Sequence, residues 1–325
     1  MQNLFIINPN AGKQRHIKRL IDNIECFFAD KNETYEIIVT EDCEHSTAIA
    51  REYAQKGQEM RIFACGGDGT VCNVFNGVAG YKNVILGAIP CGTGNDFMKS
   101  FGDSTAFSDL NKQLNGSVVE IDAIKVGKYY ALNQASMGLD ALVCYHKSKF
   151  SRLPLIKGKM AYVLSLIYCF FTGIKNHFTI TIGDTHKEEG EFLFAIGANG
   201  RYCGGGFMSA PEALVSDGIL DCLSIKSVSR LRILSLLSKY SKGKHLGLDI
   251  CTYQKAEKIT VKANKPTPVN IDGEVIFAEE ITFEVLPKFV RFNVPDLCTK
   301  PVFEDCKRKS AKKTLNLQIS KNEKV

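Results

Sequence analysis

Residues 66–70, Gly-Gly-Asp-Gly-Thr, follow directly on the apolar run Ile62-Phe63-Ala64-Cys65. They set three glycines, a carboxylate and a hydroxyl where a strand should give way to a helix. Glycines let backbone N–H groups approach an anion without a Cβ in the way, and the helix start adds the positive end of its dipole. The main-chain N–H groups of Gly66, Gly67, Asp68, Gly69, Thr70, Val71 and Cys72 are therefore expected to cradle phosphate. The same cluster can also serve as a plain turn. A second loop repeats the pattern: Val84–Ile89 runs into Pro90-Cys91-Gly92-Thr93-Gly94-Asn95-Asp96, with Gly92, Thr93 and Asn95 as candidate contacts. A third follows Leu4-Phe5-Ile6-Ile7, where Asn8-Pro9-Asn10-Ala11-Gly12-Lys13 offers a lysine that can meet a phosphate as a point charge or remain solvated. Asp68 and Asp96 should lie near one another. Paired carboxylates beside a phosphate cradle imply a divalent cation, although Asp96 is equally suited to cap a helix.

The elements that must position these loops are legible in the periodicity. Val71, Val74, Phe75 and Val78 mark one helix, Ile17, Leu20, Ile21, Ile24 and Phe28 another, and Tyr35–Val39 a strand ending at Thr40, whose hydroxyl could reach the same ligand. Strand and helix alternate through about residue 120, which predicts a doubly wound, Rossmann-like α/β domain whose loops share one crevice. Beyond it come short strands, predicted at 118–126, 129–136, 178–182, 191–198, 219–226, 258–262, 268–271, 274–277 and 281–286, with helices near 158–173 and 229–241. That texture indicates a β-sandwich over 121–289, closing a cleft against the first domain. In Val269-Asn270-Ile271-Asp272-Gly273-Glu274-Val275-Ile276, Asp-Gly between alternating apolar runs predicts a hairpin that carries two carboxylates at its tip.

The chain of 325 residues, 45% hydrophobic and 23% charged, is ample for two domains. The start lacks the basic and apolar regions of a signal peptide, so a cytoplasmic protein is expected. Its 12 cysteines contain no Cys-x-x-Cys pair, which argues against a disulfide framework or a zinc site. Met160–Ile174 is apolar for 15 residues, short of the roughly 20 needed to span a bilayer. It reads as a core helix, or as one that lines an acyl-chain pocket or dips into a membrane surface with Lys157, Lys159 and Lys175 at its ends. Part of the net charge of +6 comes from a polar tail over 306–325 with Lys307-Arg308-Lys309 and Lys312-Lys313. That tail is either solvated or drawn to an anionic membrane; no basic stripe interleaved with aromatics suggests nucleic acid. No motif encodes an oligomeric state, and a homodimer is compatible with the sequence.

The two glycine loops and the opening Asn8-Pro9 resemble the bacterial diacylglycerol kinase family of lipid kinases, which includes relatives of sphingosine kinases. The resemblance continues through Asn199-Gly200-Arg201 with Gly204-Gly205-Gly206, Ala210-Pro211-Glu212-Ala213, Asp217-Gly218-Ile219-Leu220-Asp221 and Ile271-Asp272-Gly273-Glu274, to about residue 295. It implies an ATP-dependent enzyme that phosphorylates a lipid hydroxyl, most simply that of diacylglycerol, and contacts the membrane peripherally during turnover. It also implies that Glu274 is the general base, with Asp272 as its supporting carboxylate. One Mg2+ would accompany ATP, and a second, structural one would bind Asp217 and the carbonyl oxygens of Leu214 and Ile219. The chain would return to the first domain over 290–305. Ala11 stands where the family commonly has serine, which removes one phosphate hydrogen bond. A kinase of another lipid, or of a soluble acceptor such as NAD, is the alternative activity, and a non-catalytic nucleotide- or lipid-binding module a third reading.

Overall fold

The computed structural model describes residues 1–296 except 13, 93, 152, 154, 155, 157, 158, 173 and 174. The basic tail therefore lies outside the described residues. The first part alternates as the hydropathy pattern requires: β1 (Gln2–Ile7), α1 (Gln14–Phe28), β2 (Tyr35–Val39), α2 (Cys43–Gln55), β3 (Met60–Gly66), α3 (Asp68–Val78) and β4 (Val84–Pro90). β1 and β3 are almost continuous apolar runs because helices cover both faces of a parallel sheet. One face packs Leu4, Ile6, Ile62, Val74 and Phe75 together, the other Phe5, Ile7, Ile24, Phe28 and Phe63. β1 lies between β2 and β3, parallel to both, and β3 is parallel to β4. The chain thus steps outward in opposite directions from β1 and β3, which opens a ligand crevice at their carboxyl ends. Ile7 pairs with Cys65 and Gly66 with Pro90, so three strand ends are level and their loops leave from one edge.

After two short 3-10 turns come α4 (Leu110–Leu114), β5 (Ser117–Val126), β6 (Tyr129–Ala131), β7 (Gln134–Gly138), α5 (Leu139–Phe150), α6 (Lys159–Thr172), β8 (Asn176–Ile182), β9 (His186–Ala198), β10 (Leu220–Lys226), α7 (Arg230–Ser241), β11 (Cys251–Ala256), β12 (Lys258–Ile271) and β13 (Glu274–Val294). Two pairs of predicted strands are each one long strand, β12 and β13. β12 shifts register between Lys262 and Thr267, and β13 between Leu286 and Val290. Such irregularities bend a strand, so both pass from one layer of the sandwich to another. They enclose a core of Ile124, Phe178, Phe192, Val261, Val269 and Phe283. Past its bend, β13 pairs with β5 and meets β4 in parallel at Phe292 opposite Leu86. There the Phe292 ring stacks on Phe101, centroids 5.3 Å apart. One strand therefore carries the hairpin of residues 272–273 at its start and docks on the parallel sheet at its end.

Candidate active site

The three loops interlock at the crevice. Asn8 donates from Nδ2 to Thr70 Oγ1 at 3.0 Å, bridging the ends of β1 and α3, and its own Oδ1 accepts the Asn10 N–H at 2.9 Å. Pro9 and Ala11 complete that turn, closed by the Ala11 N–H on the Asn8 carbonyl at 3.1 Å. At Gly12, with φ +92°, a Cβ would stand 2.8 Å from the Cys91 carbonyl oxygen. Gly67 and Gly92 approach so closely that a Cβ on Gly92 would sit 2.7 Å from the Gly67 Cα. Asn95, also at positive φ, closes the second loop from Nδ2 to the Gly92 carbonyl at 3.0 Å.

Gly67 caps α3, leaving the N–H groups of Asp68, Gly69 and Thr70 in its first turn facing outward. The expected cradle is narrower than 66–72, because Val71 N–H is spent on the Gly67 carbonyl at 3.1 Å and Cys72 lies inside the helical hydrogen-bond ladder. Thr40 departs further from expectation. Its buried hydroxyl donates to the Ile7 carbonyl at 3.3 Å and accepts from Ser46 at 3.2 Å, so it ties β2 to β1 instead of facing a ligand. Lys13 and Thr93 lie outside the described residues.

Asp68 and Asp96 do meet. Asp68 Oδ1 accepts the backbone N–H groups of Asp96 at 2.6 Å and Phe97 at 3.3 Å. Its Oδ2 faces Gly94, where a Cβ would be 2.8 Å away. Burial, and then the charge of Asp96, push the Asp68 carboxyl above its ordinary value. Both oxygens of Asp96 are engaged, one by Lys99 Nζ at 2.5 Å and the other by the Gly205 N–H at 2.6 Å. Asp96 is therefore a tie between the nucleotide loops and the triglycine turn of the second domain, and not a free proton acceptor. Its partner Lys99 had no motif to reveal it. With one oxygen spoken for and the other toward a glycine, Asp68 fits a magnesium ion that takes most of its remaining ligands from phosphate and water.

The hairpin is built as predicted. Ile271 pairs with Glu274, and Asp272 and Gly273 both take positive φ, +49° and +103°, as a two-residue turn of the primed type demands. Asp272 accepts N–H groups from Leu132 at 2.6 Å, Asn133 at 3.1 Å and Gln134 at 2.8 Å. Those amides interrupt the predicted strand 129–136 and divide it into β6 and β7. Burial outweighs them and raises the Asp272 carboxyl to about 6, with the charge of Asp68 pushing the same way. Asp272 thus anchors the turn. A second chain of bonds holds it from behind: Gly273 N–H to Asn270 Oδ1 at 2.8 Å, Asn270 Nδ2 to Asp140 at 3.1 Å, and Ser136 Oγ to Asp140 at 2.6 Å.

Glu274 projects exposed from this fixed tip. The hairpin lies beside α3: Asn76 Nδ2 donates to the Tyr130 carbonyl at 2.9 Å, and Leu132, two residues on, gives its N–H to Asp272 at 2.6 Å. Burial first, and then the charges of Asp272 and Glu274, push the Cys72 thiol of α3 up.

The loop expected to hold a structural cation is also braced by a lysine. Asp217 Oδ2 lies 3.4 Å from Lys255 Nζ, which is also 2.9 Å from the buried carboxylate of Asp221. Burial opposes the Lys255 charge, yet Asp221 and Asp217 hold its pKa above the ordinary lysine value. Leu214 and Ile219 flank the loop, and Asp122 pins it by accepting the Gly218 N–H at 2.7 Å and the Lys288 N–H at 2.8 Å. One ammonium offsets only part of the charge of Asp217, Asp221 and Asp122, so Asp217 with the carbonyl oxygens of Leu214 and Ile219 still offers oxygen donors of the kind a hard divalent cation takes. The lysine comes from β11, and no motif brings it to Asp217.

Beside the hairpin, α5, α6, β9, α7 and the turn around Cys203 line an apolar cavity of about 60 Å³ with Leu139, Val143, Tyr162, Leu166, Phe207 and Leu236, and Asp140 at its wall.

Comparison with known proteins matches both parts of the chain. Residues 2–126 match the diacylglycerol kinase catalytic domain, and residues 133–294 match the YegS C-terminal NAD kinase β-sandwich-like domain. A Staphylococcus epidermidis protein named "putative lipid kinase" is 30% identical over 237 residues, 71% of this chain and 75% of its own length. A diacylglycerol kinase of Bacillus subtilis is 27% identical, over 83% and 88% of the two chains. The crystal structure of a "putative diacylglycerol kinase" from Bacillus anthracis superposes with a TM-score of 0.71 at 25% identity, covering 92% of this chain and 98% of that one.

Proposed function

The chain belongs to the diacylglycerol kinase family of lipid kinases, and on that premise we propose that it transfers the γ-phosphoryl group of ATP to the hydroxyl of diacylglycerol, giving phosphatidic acid. The observation that supports this reading is Glu274 on a doubly anchored turn that packs beside α3 through Tyr130 and Leu132.

The triphosphate would lie over the N–H groups of residues 68–70, against the Asn8–Gly12 turn and the Gly92–Asn95 loop, with Lys99 adding positive charge from below. A magnesium ion bound with ATP would be held by Asp68 and would offset phosphate charge. Glu274 accepts the proton of the lipid hydroxyl as its oxygen forms a bond to the γ-phosphorus and the bond to the β,γ-bridging oxygen breaks, releasing ADP. Asp272 and Asp96 touch neither reactant; they position the turn and the loop. Transfer draws mostly on positioning and on charge held by amides and Lys99.

The apolar cavity supports a lipid acceptor. At about 60 Å³ it holds roughly two waters' worth of volume, so an acyl chain would enter only as α6 and α7 part. Incubating the protein with ATP, magnesium and a total lipid extract, with soluble acceptors in parallel, tests the proposal. Mass spectrometry should find a phosphorylated lipid; phosphorylation of soluble acceptors alone would overturn it.

A further inference from the structure

We propose that Asp140 selects the acceptor: its Oδ1 holds an ester carbonyl of the lipid, the one beside the hydroxyl that is phosphorylated. This deepens the lipid-kinase reading and rests on it, and three features carry it.

First, Asp140 is an acid in an apolar wall. It stands in the first turn of α5 and lines the cavity with Leu139, Val143, Tyr162, Leu166 and Phe207. Among the described residues no lysine, arginine or histidine makes an ion pair with it, and burial raises its carboxyl above the ordinary value. The start of α5 favours the charged form only weakly by comparison. These surroundings suit the neutral acid, which donates a hydrogen bond as well as accepting.

Second, its two oxygens are used unequally. Oδ2 accepts both the Ser136 hydroxyl at 2.6 Å and Asn270 Nδ2 at 3.1 Å. No group among the described residues bonds Oδ1, so the proton of the neutral acid belongs there, where it is left for a ligand in the cavity.

Third, Asp140 is fixed to the turn that carries the base. Asn270 Oδ1 accepts the Gly273 N–H at 2.8 Å, so one side chain links Asp140 to the residue before Glu274. Diacylglycerol has a single hydroxyl, with an ester on the neighbouring carbon whose carbonyl can only accept. With the hydroxyl at Glu274, that carbonyl is the polar group left to meet the cavity wall, and an O–H on Oδ1 is its complement. A dialkylglycerol ether has the same hydroxyl and chains but lacks the carbonyl.

The test compares a diacylglycerol with the dialkylglycerol of the same chain length, each in detergent micelles, by transfer from labelled ATP. ATP affinity and melting temperature are recorded for every variant. The parent should favour the ester at least tenfold in kcat/KM, since a site built around a hydrogen bond rejects the analogue that lacks it. Asp140→Asn should keep most of that preference, because its amide oxygen accepts from Ser136 and Asn270 while its N–H still donates. Asp140→Leu should slow both lipids, as Asn270 loses its partner, but the ester more, so that the ratio falls toward one. Asn270→Ala should slow both lipids equally and leave the ratio as in the parent, a contrast that loosening of the turn alone does not produce. Equal use of the two lipids by the parent, or a preference that survives in Asp140→Leu, would overturn the proposal. If Asp140→Leu does not fold, Asp140→Asn decides, and loss of the preference there would overturn the donor assigned to Oδ1. Transfer to neither lipid, with a soluble acceptor phosphorylated, would overturn the lipid-kinase reading and this proposal with it; transfer to both lipids at equal rates would sink the proposal alone.

Discussion

Both oxygens of Asp272 are occupied by backbone N–H groups of residues 132–134, while Glu274, two residues on, stands exposed in the cleft. The hairpin pattern put both carboxylates at the tip, and the family resemblance implied Glu274 as the base with Asp272 in support; what holds Asp272 was not legible, because residues 132–134 are far away in the chain. Asp272 has its folded-state pKa raised to about 6 from 3.8, so it costs stability once ionised. The sign follows from proton binding: between about pH 4 and 6 the folded state holds the proton more tightly, so this contribution falls as pH rises through that window and is constant above it. Comparing unfolding free energies of the parent and Asp272→Asn across pH 4 to 7 should show the parent losing relative stability by up to about 3 kcal/mol over that range. A flat difference would contradict the burial assigned to this carboxylate. Lys99, Asp140 and Asn270 escaped the sequence for the same reason, since none sits in a motif that announces a partner.

Glycine loops and their strands were the most legible elements, because close approach leaves a compositional trace. Gly92→Ala puts a Cβ 2.7 Å from Gly67 Cα, against backbone that cannot swing aside. That variant should lose at least tenfold in ATP affinity with little change in melting temperature, and unaltered ATP binding would remove the second loop from the nucleotide site. The Asp272-Gly273 hairpin was equally clear. By contrast α5 and β11 were missed. Leu139–Phe150 has no clean apolar stripe, since one end is buried in the sandwich and the other carries Lys147 and Lys149 outward, and Cys251–Ala256 mixes polar and apolar residues without alternation. The irregularity between Lys262 and Thr267 in β12 lies opposite 278–280 of β13 and hid both long strands behind apparent breaks at 263–267 and 278–280, while the second bend of β13, at 287–289, cut the predicted strand short.

At the scale of the molecule, β13 joins the two halves, running from the Asp272-Gly273 hairpin to Phe292 beside β4. The order of strands and helices in the first part announced the crevice, whereas the way the second part turns back onto it depends on pairings between distant residues. Lys255 affects the whole fold because it pairs with both Asp217 and Asp221 between β10, β11 and the 214–219 loop. In Lys255→Met, which leaves both carboxylates without this partner, the melting temperature measured without nucleotide should fall, and magnesium should recover part of the loss. An unchanged melting temperature would contradict the role assigned to this lysine.

In the proposed reaction a base on the anchored hairpin takes the proton from a lipid hydroxyl opposite a phosphate cradle. The most direct measurement is the rate of phosphate transfer from labelled ATP to diacylglycerol in vesicles by the parent and by Glu274→Gln, with ATP affinity recorded for both. Affinity should be unchanged and turnover should fall roughly a hundredfold or more. Turnover within a fewfold of the parent would contradict it.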